Sequence, residues 1–139
     1  MSEFHYSGSD RRVDDVSTTV TEMVRGYLEA AVFTECGEGE VSAGDQFSLP
    51  AVALAFTLCS VFMARCGWHA WQAHQKGRTY SEIGADLWFT QNGHGVGFWD
   101  RGLGDIGERL SEAARSLGEA YLHKLPDGSL AIEFNWGKL

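Results

Sequence analysis

From about Val13 to Phe33 apolar residues recur at three- and four-residue steps, and Val13, Val16, Val20, Met23, Val24, Tyr27 and Ala31 fall on one stripe. That spacing predicts an amphipathic helix with one face on a core. The period breaks between Thr34 and Phe47, where Gly37, Gly39 and Gly44 alternate with Glu35, Glu38, Glu40 and Asp45, a composition that predicts an exposed acidic loop. Ser48 is an N-cap residue type, and Pro50 follows where a first helical turn tolerates proline. The helix they open runs to about Gln75, is apolar nearly all round as far as Arg65, and has Gly67 as its weakest interior point. Such a profile predicts a central helix flanked on several sides, the hub of the fold.

From Asp86 the period shortens. Leu87-Trp88-Phe89-Thr90 and Val96-Gly97-Phe98-Trp99 are aromatic runs separated by Gln91-Asn92-Gly93-His94-Gly95. Asn-Gly between β-prone runs predicts a hairpin over residues 86–99, because both residues tolerate the positive φ of a primed turn. A third helix is predicted from Asp105 to Leu117, with Ile106, Leu110, Ala113, Ala114 and Leu117 on one face and Gly118 as its stop. Ala120 to Leu125 and Ser129 to Phe134 flank Pro126-Asp127-Gly128, a second hairpin over 120–134. The predicted fold class is therefore α+β: a small antiparallel sheet of two hairpins, with two N-terminal helices and one inserted helix packed on it. Residues 1–12 are polar and turn-rich and read as a loosely ordered N-terminus, leaving 13–139 as one domain.

A chain of 139 residues with 44% hydrophobic and 22% charged positions has enough apolar material for a packed core without staples. Its net charge of −8 is uneven. Residues 1–47 carry ten acids against Arg11, Arg12 and Arg25, whereas residues 48–139 carry nine acids and eight bases. An acidic half disfavours direct contact with nucleic-acid phosphates and favours a basic partner surface or simple solubility. Cys36, Cys59 and Cys66 are odd in number and unpatterned, which points to reduced thiols and a cytoplasmic setting. Met1-Ser2-Glu3-Phe4-His5 has no basic region leading into an apolar run, unlike a signal peptide. The apolar run Leu49 to Ala64 is shorter than the roughly 20 residues of a bilayer span and reads as a core helix. Its richness in Phe, Leu and Val also suits a homodimer.

The stretch Asp86-Leu-Trp-Phe-Thr-Gln-Asn-Gly-His-Gly-Val-Gly-Phe-Trp-Asp-Arg-Gly-Leu-Gly-Asp105, continuing to Gly118, resembles the shared core of a family of small phage- and plasmid-encoded accessory proteins. A weaker similarity reaches back to Gly26 to Phe33. The final hairpin departs from the family's usual tail, with His123-Lys124-Leu125-Pro126-Asp127-Gly128 in place of a Tyr-Val-Gly-Asp-Asp-Gly type turn. The resemblance implies a mobile-element setting in a bacterial cytoplasm and no established reaction. Accessory proteins in that setting often inhibit host defence, such as CRISPR or restriction complexes, by occupying a surface.

Candidate partner-binding residues follow from residue type. Trp88, His94, Trp99 and Arg101 cluster about the first predicted hairpin, and aromatic and arginine anchors dominate interface energies. Glu35, Glu38, Glu40 and Asp45 supply a second, acidic surface suited to a host protein or complex with a basic face. Asp100 and Arg101 could equally form a local ion pair that fixes the turn before the third helix. A competing reading makes His94, Asp100 and Arg101 the centre of a small ligand-binding protein or enzyme on the Asn-Gly-His-Gly hairpin.

Specific chemistry is thinly signalled. In Cys66-x2-His69-x4-His74 the five-residue step turns one histidine about 140° from the other, which argues against a shared zinc. Cys59 and Cys66 carry no neighbouring signal for an activated thiol and read as core residues. A nucleophilic pair of cysteine with His94 or His123 stays open, since such partners meet in space. Gly93-x-Gly95-x-Gly97 lacks the Lys-Ser/Thr of a P-loop. The basic stretch Arg65, Lys76, Arg78 makes a thin footprint for nucleic acid, though the acidic half could imitate DNA charge toward a basic protein. The sequence thus names no catalytic residue, metal ligand or cofactor.

Overall fold

A computed structural model describes residues 8–36 and 41–136 of the chain, with side chains from Val16 to Asn135. Among the described residues, four α-helices and one antiparallel hairpin form the fold: α1 (Gly8–Glu35), α2 (Leu49–Gln75), α3 (Tyr80–Gln91), α4 (Asp105–Ser116), β1 (Gly118–Lys124) and β2 (Leu130–Trp136). A 3-10 turn, Phe98–Asp100, lies between α3 and α4. The α+β class expected from the pattern holds in this coarser form. Residues 1–7 and the loop glutamates Glu38 and Glu40 fall outside the described residues.

The first predicted hairpin does not exist: residues 86–91 are the second half of α3. Thr79 and Glu82 close a reciprocal capping box, with Thr79 Oγ1 accepting from the Glu82 N–H at 3.0 Å and Glu82 accepting from the Thr79 N–H at 2.9 Å. Two orphan donors are thereby satisfied and the helix starts well before the aromatic run. Asn92-Gly93 ends the helix rather than reversing a strand. Gly93 has φ +68°, and the His94 N–H reaches back to the Phe89 carbonyl at 3.0 Å, the Schellman arrangement. A positive-φ Asn-Gly serves a hairpin turn and a helix stop equally well, which is why the local signal misleads.

α1 and α3 make the most extensive helix contact in the fold, and two glycines permit it. A Cβ at Gly26 would lie 1.8 Å from the Ser81 carbonyl oxygen, and one at Gly84 would lie 2.0 Å from that of Met23. Backbone meets backbone at both points. Met23, Val24, Tyr27 and Ala31 of the predicted α1 stripe are buried as expected, whereas Val16, in the N-terminal half of α1, is exposed.

α2 starts as its sequence predicts, with Ser48 Oγ accepting from the Ala51 N–H at 3.3 Å. It kinks at Cys66 (φ −141°, ψ 31°), beside Gly67. One stripe, Ala51, Ala55, Leu58, Cys59, Phe62, Cys66, Ala70 and Ala73, is buried against α1 and α4. The opposite stripe is uncovered, so α2 is a flank of the core and not its hub. By length and composition α2 could cross a membrane, and 33% of its most apolar stretch is buried in this fold.

The predicted C-terminal hairpin is present, in a register that pairs Ala120 with Phe134 and Leu122 with Ile132. Its β2 edge receives the chain just before α2: Ser48 donates to the Leu130 carbonyl and Leu130 to that of Gln46, both at 2.8 Å. This parallel bridge holds the end of the expected acidic loop on the sheet. The core gathers Phe62, Phe98, Trp88, Leu87, Leu110 and Leu117 between these elements.

Candidate functional site

The loop from Asn92 to Gly104 is organised by a carboxylate buried inside α3. Asp86 has no exposed side-chain surface. Its Oδ1 accepts from Arg101 Nε at 3.0 Å and Nη2 at 2.8 Å, and its Oδ2 accepts from Arg78 Nη2 at 2.7 Å. Arg101 is thus bound to Asp86, and the local Asp100–Arg101 pair is not formed. Asp100 instead caps the 3-10 turn, accepting from the Gly97 N–H at 3.2 Å. Phe98, swung inward by this turn, stacks on Phe62 at 5.7 Å.

The four aromatic and basic candidates consequently do not form one exposed surface. Trp88 is 1% exposed, lies edge-on to Tyr27 at 5.3 Å and donates its indole N–H to Thr34 at 3.0 Å; it is core and offers no surface. His94 is exposed and lies parallel to Trp88 at 6.2 Å. Trp99 is 43% exposed and sits under the Arg115 guanidinium, 5.4 Å from the ring centre. Among the acids, Asp45 is tied down: it accepts from the Ser42 N–H at 2.8 Å and pairs with Lys124 at 3.2 Å. The Ser42 bond, then Lys124, holds its pKa below the usual carboxylate value.

Glu35 and His94, distant in sequence, come together. They line a cleft of about 270 Å³ with Asn92, Glu119 and Tyr121. Glu119 also lines a second cleft, with Gln91, Gly93, Arg115 and Asn135, and Arg115 lines a third, of about 320 Å³, with Trp99, Glu108, Ser111 and Glu112. Shared residues therefore join three clefts into one band around the C-terminal end of α3 and along α4. Its charges are Glu35, Glu119, Glu108 and Glu112 against Arg115, and its aromatic contributions are Trp99 and Tyr121. Tyr121 donates to Glu119 at 2.5 Å, and that bond to a carboxylate raises the phenol pKa. Two residues of the band, Gln91 (Nε2) and Ser111 (Oγ), each have a buried polar atom without a hydrogen-bond partner among the described residues; the Gln91 carbonyl oxygen accepts from Tyr27 at 2.6 Å.

Sequence reasoning missed Glu108, Glu112, Arg115, Glu119 and Tyr121. The signal was present in part, since Glu108, Glu112 and Arg115 recur at four- and three-residue steps on the polar face of α4. What no local pattern carries is their union with Glu35 and His94.

Burial pushes the thiols of Cys59 and Cys66 up to about 12, so neither is a nucleophile at neutral pH. Among the described residues no three His, Cys, Asp or Glu side chains are grouped to hold a metal ion. Fold and surface together define a small helical α+β protein with an acidic, aromatic-edged band. Comparison with protein-family models, curated proteins and solved structures gives no match to this chain.

Proposed function

We propose that the protein acts by binding a partner protein through this band, and that the partner presents a basic surface. The observation that carries the reading is the third cleft, where an exposed Trp99 stands beside Glu108, Glu112 and the unpartnered Ser111 hydroxyl. A partner's arginine or lysine has there two carboxylates for its charge, and its stem can lie along the part of Trp99 that Arg115 leaves exposed. Aromatic anchors rimmed by complementary charge are where interface energy concentrates. In the mobile-element setting implied by the resemblance, a nucleic-acid-handling host defence complex supplies such a basic surface, and occupying it would inhibit that complex.

The test is capture of a nuclease or defence complex from host lysate, identified by mass spectrometry, with duplex DNA as competitor. Capture that DNA displaces, and that a Glu108→Gln, Glu112→Gln, Glu119→Gln variant of unchanged melting temperature loses, supports the reading. Capture indifferent to both sinks it. A second reading, binding of a small polar ligand, is favoured by the two unpartnered buried atoms of Gln91 and Ser111; its test is a ligand-induced rise in melting temperature that Gln91→Leu removes.

A further inference from the structure

The uncovered stripe of α2 consists of Leu49, Ala53, Phe56, Thr57, Ser60, Ala64, Trp68 and Trp71, all exposed. The steps of three and four residues place them on one face, opposite the buried stripe. Trp68 and Trp71 stack on each other in solvent at 5.2 Å. No charge lies on this stripe, and Arg65, the one Lys, Arg, Asp or Glu in α2, is drawn aside to Ser116 at 2.8 Å. The four large side chains alone expose on the order of 500 Å², which matches the largest apolar patch of a typical monomer (roughly 300–600 Å²).

We infer that this face pairs with the same face of a second copy, two α2 helices lying antiparallel about a two-fold axis at Ser60. The sequence is self-complementary in that register. Leu49 falls opposite Trp71, Ala53 opposite Gly67 and its neighbour Trp68, Phe56 opposite Ala64, and Ser60 opposite itself. Phe56 meets the small Ala64 and Trp68 the small Ala53, while Leu49 and Trp71 pair at the two ends, so the face matches itself as an isologous interface requires. The stripe is about 33 Å long at 1.5 Å per residue, bending with the helix at Cys66.

Area and charge choose this occupant over others. A stable interface buries about 800 Å² per partner, roughly a tenth of a small protein's surface, and the total surface here is 7687 Å². The four large side chains with the intervening Ala53, Thr57, Ser60 and Ala64 supply most of that. Two chains of net charge −8 repel over most approaches, and this uncharged face is where they meet at least cost. A basic partner gains nothing from a face without acids. An anionic bilayer would repel the chain, and the buried stripe of α2 is committed to α1 and α4.

The measurement is sedimentation equilibrium of the full chain at micromolar concentration, together with cysteine cross-linking in a Cys36→Ser background. A two-chain mass is expected. Ser60→Cys should form an interchain disulfide with oxidised glutathione, two thiolates being oxidised as the glutathione disulfide is reduced, while Ala53→Cys should not, because it faces Gly67. Ala64→Glu should weaken the dimer at least about tenfold, since it buries an unpaired carboxylate, with the helical circular dichroism unchanged. A single-chain mass throughout the micromolar range overturns the inference. So does a dimer that survives Ala64→Glu and leaves Ser60→Cys uncrosslinked, or wild-type protein that floats with phosphatidylcholine vesicles as monomers.

Discussion

Replacing Asp86 by Asn keeps the shape of the side chain and removes its charge. One amide oxygen can still accept from one arginine, but the other position becomes an N–H2 group facing a guanidinium donor. The native carboxylate accepts three bonds, two from Arg101 and one from Arg78, each charge-assisted and worth about 1.5–3 kcal/mol. Arg78 already has a buried Nε without a partner, so the substitution strands further donors of the same group. Breaking a buried pair from one side costs about 3–5 kcal/mol. The arginine side chains are 21% and 27% exposed, so water recovers part of the loss, and about 3 kcal/mol is expected. Against a total stability of about 5–15 kcal/mol this is a large fraction, and it should lower the melting temperature by about 10 °C. Urea titration followed by tryptophan fluorescence would measure it. Arg101→Ala, which removes two of the bonds, should cost more than Arg78→Ala, which removes one. A loss below about 1 kcal/mol for Asp86→Asn, or the reverse order of the two arginine variants, would refute the view that Asp86 organises the glycine-rich loop.

Gly84→Ala sets helix propensity against packing: propensity alone stabilises by about 1 kcal/mol, but the new Cβ would stand 2.0 Å from the Met23 carbonyl oxygen. Net destabilisation of about 2 kcal/mol is expected, whereas Gly67→Ala, whose Cβ meets only Met63 at 3.7 Å, should be neutral or stabilising; calorimetry of both decides. In native protein near pH 8 a thiol reagent should label Cys36 alone, with Cys59 and Cys66 reacting only in denaturant, because those two are buried and their pKa values stand at about 12. The same shift makes the native state lose stability as the pH rises above the ordinary thiol value of 9.0, since the unfolded chain ionises first. On the acid side, the lowered pKa of Asp45 adds stability that is present above its unfolded value and lost as the pH falls through the folded one. Asp45→Asn should therefore flatten the decline below about pH 4 in a melting series, and an unaltered acid limb would contradict the Ser42 and Lys124 contacts.

Where local pattern and burial agree, the sequence by itself determined the element. The N-cap at Ser48, the extent of α2, the α4 helix and the Pro126-Asp127-Gly128 hairpin follow from residue types a few positions apart. So does the uneven charge, which is a sum over the chain. The stretch from Asp86 to Trp99 was decided by the tertiary structure. Its aromatic residues suit a strand and its Asn-Gly suits a hairpin, but the capping box at Thr79 and Glu82 extends a helix through it. Gly84 lets that helix settle on α1, and the arginines at positions 78 and 101 fasten Asp86 within it. The same packing buries Trp88, commits Arg101 to a carboxylate fifteen residues earlier, and gathers Glu35, His94, Glu119 and Trp99 along one band. Periodicity reports which residues share a face of one element. Which faces meet, and which face of α2 stays uncovered, depends on close approaches between distant segments that no local spacing encodes.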